Sequence, residues 1–195
     1  MSNFALYFAM GWHHIISLDA LDHILFITAL AAIYLAGNWK QVLILITAFT
    51  LGHSLTLALS VYDVIQLNGK WIEFLIPCTI IATAFLNFMV KDFHPRSLRI
   101  NYLLSLFFGF VHGMGFANTI RFMLAKDQEI AVPLIAFNIG LEAGQILVVA
   151  FILFISYLLV NKAGLKRRWW VWSLSALAIL LAFNMVVGRW PGNDQ

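Results

Sequence analysis

Hydrophobic residues run through this chain in unbroken stretches of about 20, without the two-residue alternation of a half-buried strand. A helix crosses a hydrocarbon layer of about 30 Å with about 20 apolar residues, because each residue rises about 1.5 Å. Six stretches meet that length, at about 15–36, 41–61, 71–90, 100–119, 131–160 and 170–187. Turn signals separate them: Gly37-Asn38, Asn68-Gly69, His94-Pro95 and the segment from Asn161 to Gly164. An outer-membrane barrel would instead show alternating segments of about 10 residues. The stretch before the first span, 3–12, has no Lys or Arg and no small-residue cleavage pattern, and reads as a short interfacial helix that stays on the chain. The pattern predicts an all-α membrane protein, a bundle of about six transmembrane helices, as a single transmembrane helical domain over 1–195.

Composition agrees with this pattern. The chain is 62% hydrophobic and 11% charged, where a soluble domain carries about 25% charged residues. The lipid bilayer is therefore the expected partner, and a homo-oligomer remains open. The one cysteine, Cys78, excludes an intramolecular disulfide and a Cys-rich metal site. Trp39, Trp71, Trp169, Trp170 and Trp190 fall at predicted span ends, where an amphipathic ring belongs.

Lys and Arg set the expected orientation. Eight lie after spans one, three and five (Lys40; Lys91, Arg96, Arg99; Lys162, Lys166, Arg167, Arg168), against four on the other side (Lys70, Arg121, Lys126, Arg189). Positive loops stay cytoplasmic, so a multi-pass protein of the bacterial inner membrane with both termini periplasmic is expected. The net charge of +3 reflects this loop bias and gives no reason to invoke nucleic acid.

Ionisable groups inside the spans change the picture from scaffold to site, since each costs about 2.5–3.5 kcal/mol at mid-helix and calls for a partner or a function. Span one holds Asp19, Asp22 and His23, span two His53, span four His112 and span five Glu142. Counted from the expected outer ends, Asp22, His53, His112 and Glu142 lie about 10–17 Å deep, so four helices contribute to one layer. Asp19 and His23 share a face at i, i+4, and polar stripes run along spans two, four and five.

Three imidazoles with carboxylates form a mixed nitrogen and oxygen donor set suited to a divalent transition metal, zinc or nickel first, with cobalt, manganese or ferrous iron of the same class. The candidate ligands are His14, Asp22, His23, His53, His112 and Glu142. Asp19, Thr50, Ser54, Asn138 and Gln145 are candidates to orient the ligating rings through hydrogen bonds. Plainer readings stand beside these. A single intramembrane His is often an interhelical hydrogen-bond partner, Glu142 can pair with a protonated His in a proton relay, and His13 and His14 lie at the expected interface. Glu73 reads as a snorkelling side chain.

Four phrases carry a family resemblance: Gly11-Trp-His-His-Ile followed by Asp22-His-Ile-Leu-Phe; Phe49-Thr-Leu-Gly-His-Ser-Leu-Thr-Leu; Phe108-Gly-Phe-Val-His-Gly-Met-Gly-Phe-Ala; and Phe137-Asn-Ile-Gly-Leu-Glu-Ala-Gly-Gln. They resemble the second, broad branch of the HupE/UreJ family of bacterial membrane proteins, over nearly all of the chain. The resemblance implies a bundle of six or seven helices that moves nickel or a related divalent metal, with His14, Asp22, His23 and His112 handling it. Seven residues separate His14 from Asp22 here, and His112 stands alone before Gly-Met-Gly, where the family's nickel permeases have a shorter spacing and a second His.

The expected function is an integral membrane divalent-metal-binding protein that acts as a permease for nickel, zinc or cobalt. The alternative is an intramembrane zinc-dependent hydrolase acting on a lipid or peptide from the outer leaflet, with His23, His53 and His112 on the metal and Asp22 or Glu142 as general base. A metal-independent assembly factor, held in register by the same polar cluster, is the third class.

Overall fold

A computed structural model describes residues 3–17, 20–62, 64–65, 68–90, 98–123 and 131–192, with side chains undescribed at 3, 98–100 and 117–123. The described residues form α1 (Asn3–Ile16), α2 (Leu21–Ala31), α3 (Trp39–Val61), α4 (Gly69–Phe88), α5 (Leu98–Met123), α6 (Ala131–Ser156) and α7 (Arg167–Gly188). A 3-10 turn (Ala36–Asn38) leads into α3, and a π-helical stretch (Tyr157–Lys162) extends α6. No strand occurs among the described residues, and the protein is an all-α membrane protein.

Four helical stretches are long and apolar enough to cross a bilayer: Ala36–Val61, Gly69–Phe88, Ala131–Lys162 and Arg167–Gly188. A fifth candidate is the bent pair α1–α2, which turns by 66° at its break. α5, at 26 residues, is longer than α3 and packs along it.

The expectation of one continuous span over 15–36 is corrected here. α1 stops at Ile16 and α2 restarts at Leu21, so His14 and His23 belong to different helices. The N-terminal helix α1 packs closely along α6. Glycine makes this approach possible: a Cβ on Gly11 would collide with the Phe137 carbonyl, and one on Gly140 with the Phe8 carbonyl. In lipid, where no hydrophobic effect draws helices together, such backbone-to-backbone contact is a main source of association.

The same device joins α3 to α5, where Gly52 faces the Leu106 carbonyl and Gly109 the Phe49 carbonyl. Buried polar side chains add cross-links that have no competing water. Asn87 of α4 donates from Nδ2 to the Ala29 carbonyl on α2 (2.7 Å) and to Ser175 Oγ on α7 (3.1 Å). Asn101 donates to the Tyr34 hydroxyl (2.8 Å), and Ser105 to the Leu45 carbonyl (2.6 Å).

Around these lie two apolar clusters. One centres on Ile15, Leu45, Leu57, Phe137 and Leu141, the other on Phe26, Phe49, Ile80 and Ala182. The outward surface is lined by large apolar side chains such as Leu51, Phe85, Phe151 and Leu180, as a lipid-facing surface requires. Trp39, Trp71, Trp169 and Trp190 are exposed at helix ends, whereas Trp170 is only 7% exposed and belongs to the core.

Gly109→Ala forces α3 and α5 apart, and overpacking of this kind costs about 1–3 kcal/mol. The thermal unfolding midpoint of the detergent-solubilised protein is expected to fall for Gly109→Ala. It should stay unchanged for Gly37→Ala, where nothing lies within 4 Å of the added methyl.

Candidate metal centre

Four histidines from four helices meet in the bundle. His14 sits in the last turn of α1, His23 in the first turn of α2, His53 on α3 and His112 on α5. The α1–α2 break brings the first two together, with ring centroids 4.7 Å apart. His23 is 5.2 Å from His112 and 6.0 Å from His53, and His14 is 6.3 Å from His53. Close packing of α3 on α5 sets the other two, since Gly113, next to His112, lies against the His53 backbone. His14, His23 and His53 each place a ring nitrogen within 4.8 Å of the other two.

The hydrogen bonds leave one edge of each ring unused. His23 Nδ1–H donates to Asp22 Oδ1 (3.0 Å), and the same oxygen accepts the His23 backbone N–H (2.9 Å). Arg189 Nη1 donates to the other carboxylate oxygen (3.2 Å). His112 Nδ1 faces the Phe108 carbonyl at 2.9 Å. A carbonyl only accepts, so this nitrogen carries the proton and the lone pair of the neutral ring falls on Nε2. Among the described residues, no hydrogen-bond partner reaches Nε2 of His14, His23 or His112, or either ring nitrogen of His53.

His23, His53 and His112 are 4%, 0% and 1% exposed. A buried polar atom left without a partner costs about 1–3 kcal/mol. Four rings with such atoms in one place are a concentrated cost that a bound ligand would relieve. The shell around them is aromatic: Phe116 and Phe137 lie 4.1 and 5.8 Å from His14, and Phe49 and Phe26 lie 5.1 and 5.3 Å from His112.

The donor set fits a borderline transition metal. In a tetrahedral zinc site with bonds of about 2.0–2.1 Å, ligand nitrogens are about 3.3 Å apart. Rotation of imidazoles already within 4.8 Å closes that gap. A carboxylate and a backbone carbonyl behind two of the rings match the way metal-binding histidines are oriented in proteins.

Asp22 lies against the cluster, and the other described candidates have partners of their own. Both oxygens of Asp22 are engaged as described, so its recorded bonds hold His23 and Arg189. Glu142 Oε1 accepts from Thr47 Oγ1 (2.7 Å), between α6 and α3. Thr50 Oγ1 donates to Gln145 Oε1 (2.9 Å), Ser54 Oγ to the Thr50 carbonyl (2.6 Å) and Asn138 Nδ2 to the Leu134 carbonyl (2.8 Å). These bonds tie α3 to α6 or stay within one helix, and none reaches an imidazole. Asp19 lies outside the described residues.

A cavity of about 320 Å³ adjoins the imidazoles, lined by His14, Asp22, His23 and His112 together with Glu73 and Arg189. From the sequence, Glu73 reads as a snorkelling side chain and Arg189 as one of the outer-side basic residues, and neither stands there as a candidate site residue. Each sits near the end of an apolar run, where a charge reads as an interface anchor, and only the packing of α4 and α7 beside α2 turns them inward.

Arg189→Ala removes the cation facing Asp22, whose side chain is 12% exposed. The loss of a charge-assisted bond at this depth is expected to lower stability by about 1–3 kcal/mol. Asp22→Asn in the same chain should recover part of it, as read from a double-mutant cycle of denaturation free energies.

Neither a curated protein nor a solved structure matches the chain. A family model described as HupE / UreJ protein matches residues 1–189, and the chain belongs to the HupE/UreJ family.

Proposed function

We propose that this protein takes a divalent transition-metal cation, nickel, zinc or cobalt, into the histidine cluster and passes it across the membrane. The observation that carries the reading is the convergence of unpartnered imidazole nitrogens beside an open cavity. Membership of the HupE/UreJ family supports it, since the sequence resemblance implies movement of nickel or a related metal. The bias of Lys and Arg between the loops supports a periplasmic side for the cavity.

Passage, as opposed to storage, is supported by a second cavity of about 40 Å³ among α2, α4 and α5, three of the helices that line the first. Leu30 of α2, Tyr34 just beyond its end, Thr83 and Asn87 of α4, and Asn101, Ser105 and Phe108 of α5 line it. Along α5, Asn101, Ser105, Phe108 and His112 follow one face at helical spacing. The two cavities therefore succeed each other along one seam between α2, α4 and α5. The layer between them contains the edge-to-face pair Phe26 and Phe108, with ring centroids 5.6 Å apart. A selective site beside an apolar constriction is a common construction of ion pathways, in which entry must be favourable and exit still possible. Uncharged imidazoles serve that need better than a set of carboxylates, because they hold a dication with no net opposite charge.

The hydrolase alternative draws on one observation, that the outer cavity is larger than a bare ion requires. Its two expected bases are otherwise engaged, Asp22 with His23 and Arg189, and Glu142 with Thr47.

Sealed proteoliposomes with a metal-sensitive dye inside decide between the readings. Wild-type protein is expected to admit nickel, zinc or cobalt faster than empty vesicles, and His53→Asn to reduce the flux at least tenfold (about 1.4 kcal/mol on the barrier). Phe108→Ala should change the flux while leaving the number of bound ions per chain unaltered. Tight binding of one ion with flux equal to that of empty vesicles overturns transport.

A further inference from the structure

Among the groups that line the outer cavity, charge is unevenly committed. Asp22 is bonded to Arg189, so this pair contributes almost no net field. The guanidinium of Arg189, with 29% of its side chain exposed, lines the same space as part of that neutral pair. One further carboxylate lines the cavity, that of Glu73. It is exposed, and no hydrogen bond or ion pair engages it among the described residues.

The placement of Glu73 follows from how α4 begins. Asn68 caps this helix by accepting the Lys70 backbone N–H (3.0 Å), and Glu73 falls one turn later. At i+3 stands Ile76, which lines the same cavity. Further along this face, Thr83 and Asn87 line the inner cavity. Glu73 thus heads the stripe of α4 that follows the seam, and its exposure puts it at the mouth.

We propose that Glu73 is the capture residue for the divalent cation. Its carboxylate draws the hydrated ion into the cavity and offers an oxygen donor in place of part of the water shell, before the imidazoles take the ion over. This inference rests on the metal-binding reading given above. A single charge in a low-dielectric mouth focuses its field inward and raises association rates by factors of 10 to 1,000, with steep dependence on salt. Glu73 stands apart from the four rings that hold the ion at rest, so its removal acts on the rate of arrival and leaves the final coordination as it was.

Stopped-flow mixing of cobalt(II) with the purified full-length chain tests this, since the visible absorption of cobalt reports its ligands. Glu73→Gln is expected to slow association about tenfold at low ionic strength, to flatten its salt dependence, and to leave the final absorption band unchanged. Glu73→Asp should recover most of the rate. The thermal unfolding midpoint should not move, because no recorded bond is lost. An unchanged rate and salt dependence in Glu73→Gln overturns the proposal, and so does an altered final band, which would make Glu73 a permanent ligand. A wild-type chain that develops no cobalt band refutes the metal-binding reading itself.

Discussion

A ring nitrogen inside a bilayer has nowhere to find water, and this constraint organises the whole molecule. His23, His53 and His112 are almost fully buried and His14 partly so, and two of the four have one nitrogen secured by Asp22 or by the Phe108 carbonyl. Ring nitrogens of His14, His23 and His53 lie within 4.8 Å of one another, beside His112 and among phenyl rings. A chain selected only for stable insertion would replace such residues with Leu or Phe, which on insertion scales improve the free energy of a spanning helix. Their presence together is intelligible as a ligand-binding site, with the cost of the empty rings offset on binding.

Holding that cluster requires backbones closer than ordinary side chains permit. Gly52, Gly109 and Gly113 bring α3 onto α5, so that His53 and His112 approach from adjoining helices. Gly11 and Gly140 do the same for α1 and α6, which fixes the helix that ends with His14. The break before Leu21 then lets α2 start beside that end. Asp22 in its first turn sits where a helix N-terminus favours negative charge, and Arg189 supplies the countercharge from the far end of α7. Glycine contacts, helix break and ion pair therefore act on one another: displacing any of them moves at least one ring.

Much of this was legible in the sequence, for definite physical reasons. Apolar runs of bilayer length mark their helices regardless of tertiary context, and buried histidines stand out because lipid tolerates so few. His23, His53 and His112 were found by that rule, and His14 entered beside them. What failed to show was whatever depends on direction. The run 15–36 has the composition of one span, and nothing in its hydrophobicity marks the bend after Ile16. Glu142 lies at a similar depth to the histidines, but depth does not fix rotation about the helix axis, and its carboxylate meets Thr47 on the other side of α3. Trp170 has the position of an interfacial ring and the burial of a core residue. Glu73, read as a snorkelling side chain, and Arg189, counted only as a loop charge, both line the cavity through packing that no single helix encodes.

The balance of charge around the cluster bears on how such a site can let go of an ion. A divalent cation in a low-dielectric interior carries a large desolvation penalty, which carboxylate ligands would repay so fully that release becomes slow. Here the carboxylate nearest the rings is already neutralised by Arg189, and the ligand atoms on offer are uncharged nitrogens. The compensation must come from imidazole lone pairs and from water kept in the outer cavity, whose 320 Å³ hold several molecules at about 30 Å³ each. On the transport reading proposed above, hydration on one face and an aromatic barrier on the other keep the affinity moderate and make the direction of exchange depend on which side of the rings is wet. On the same reading, the Phe26 and Phe108 pair, more than the metal–nitrogen bonds, sets the step toward the inner cavity.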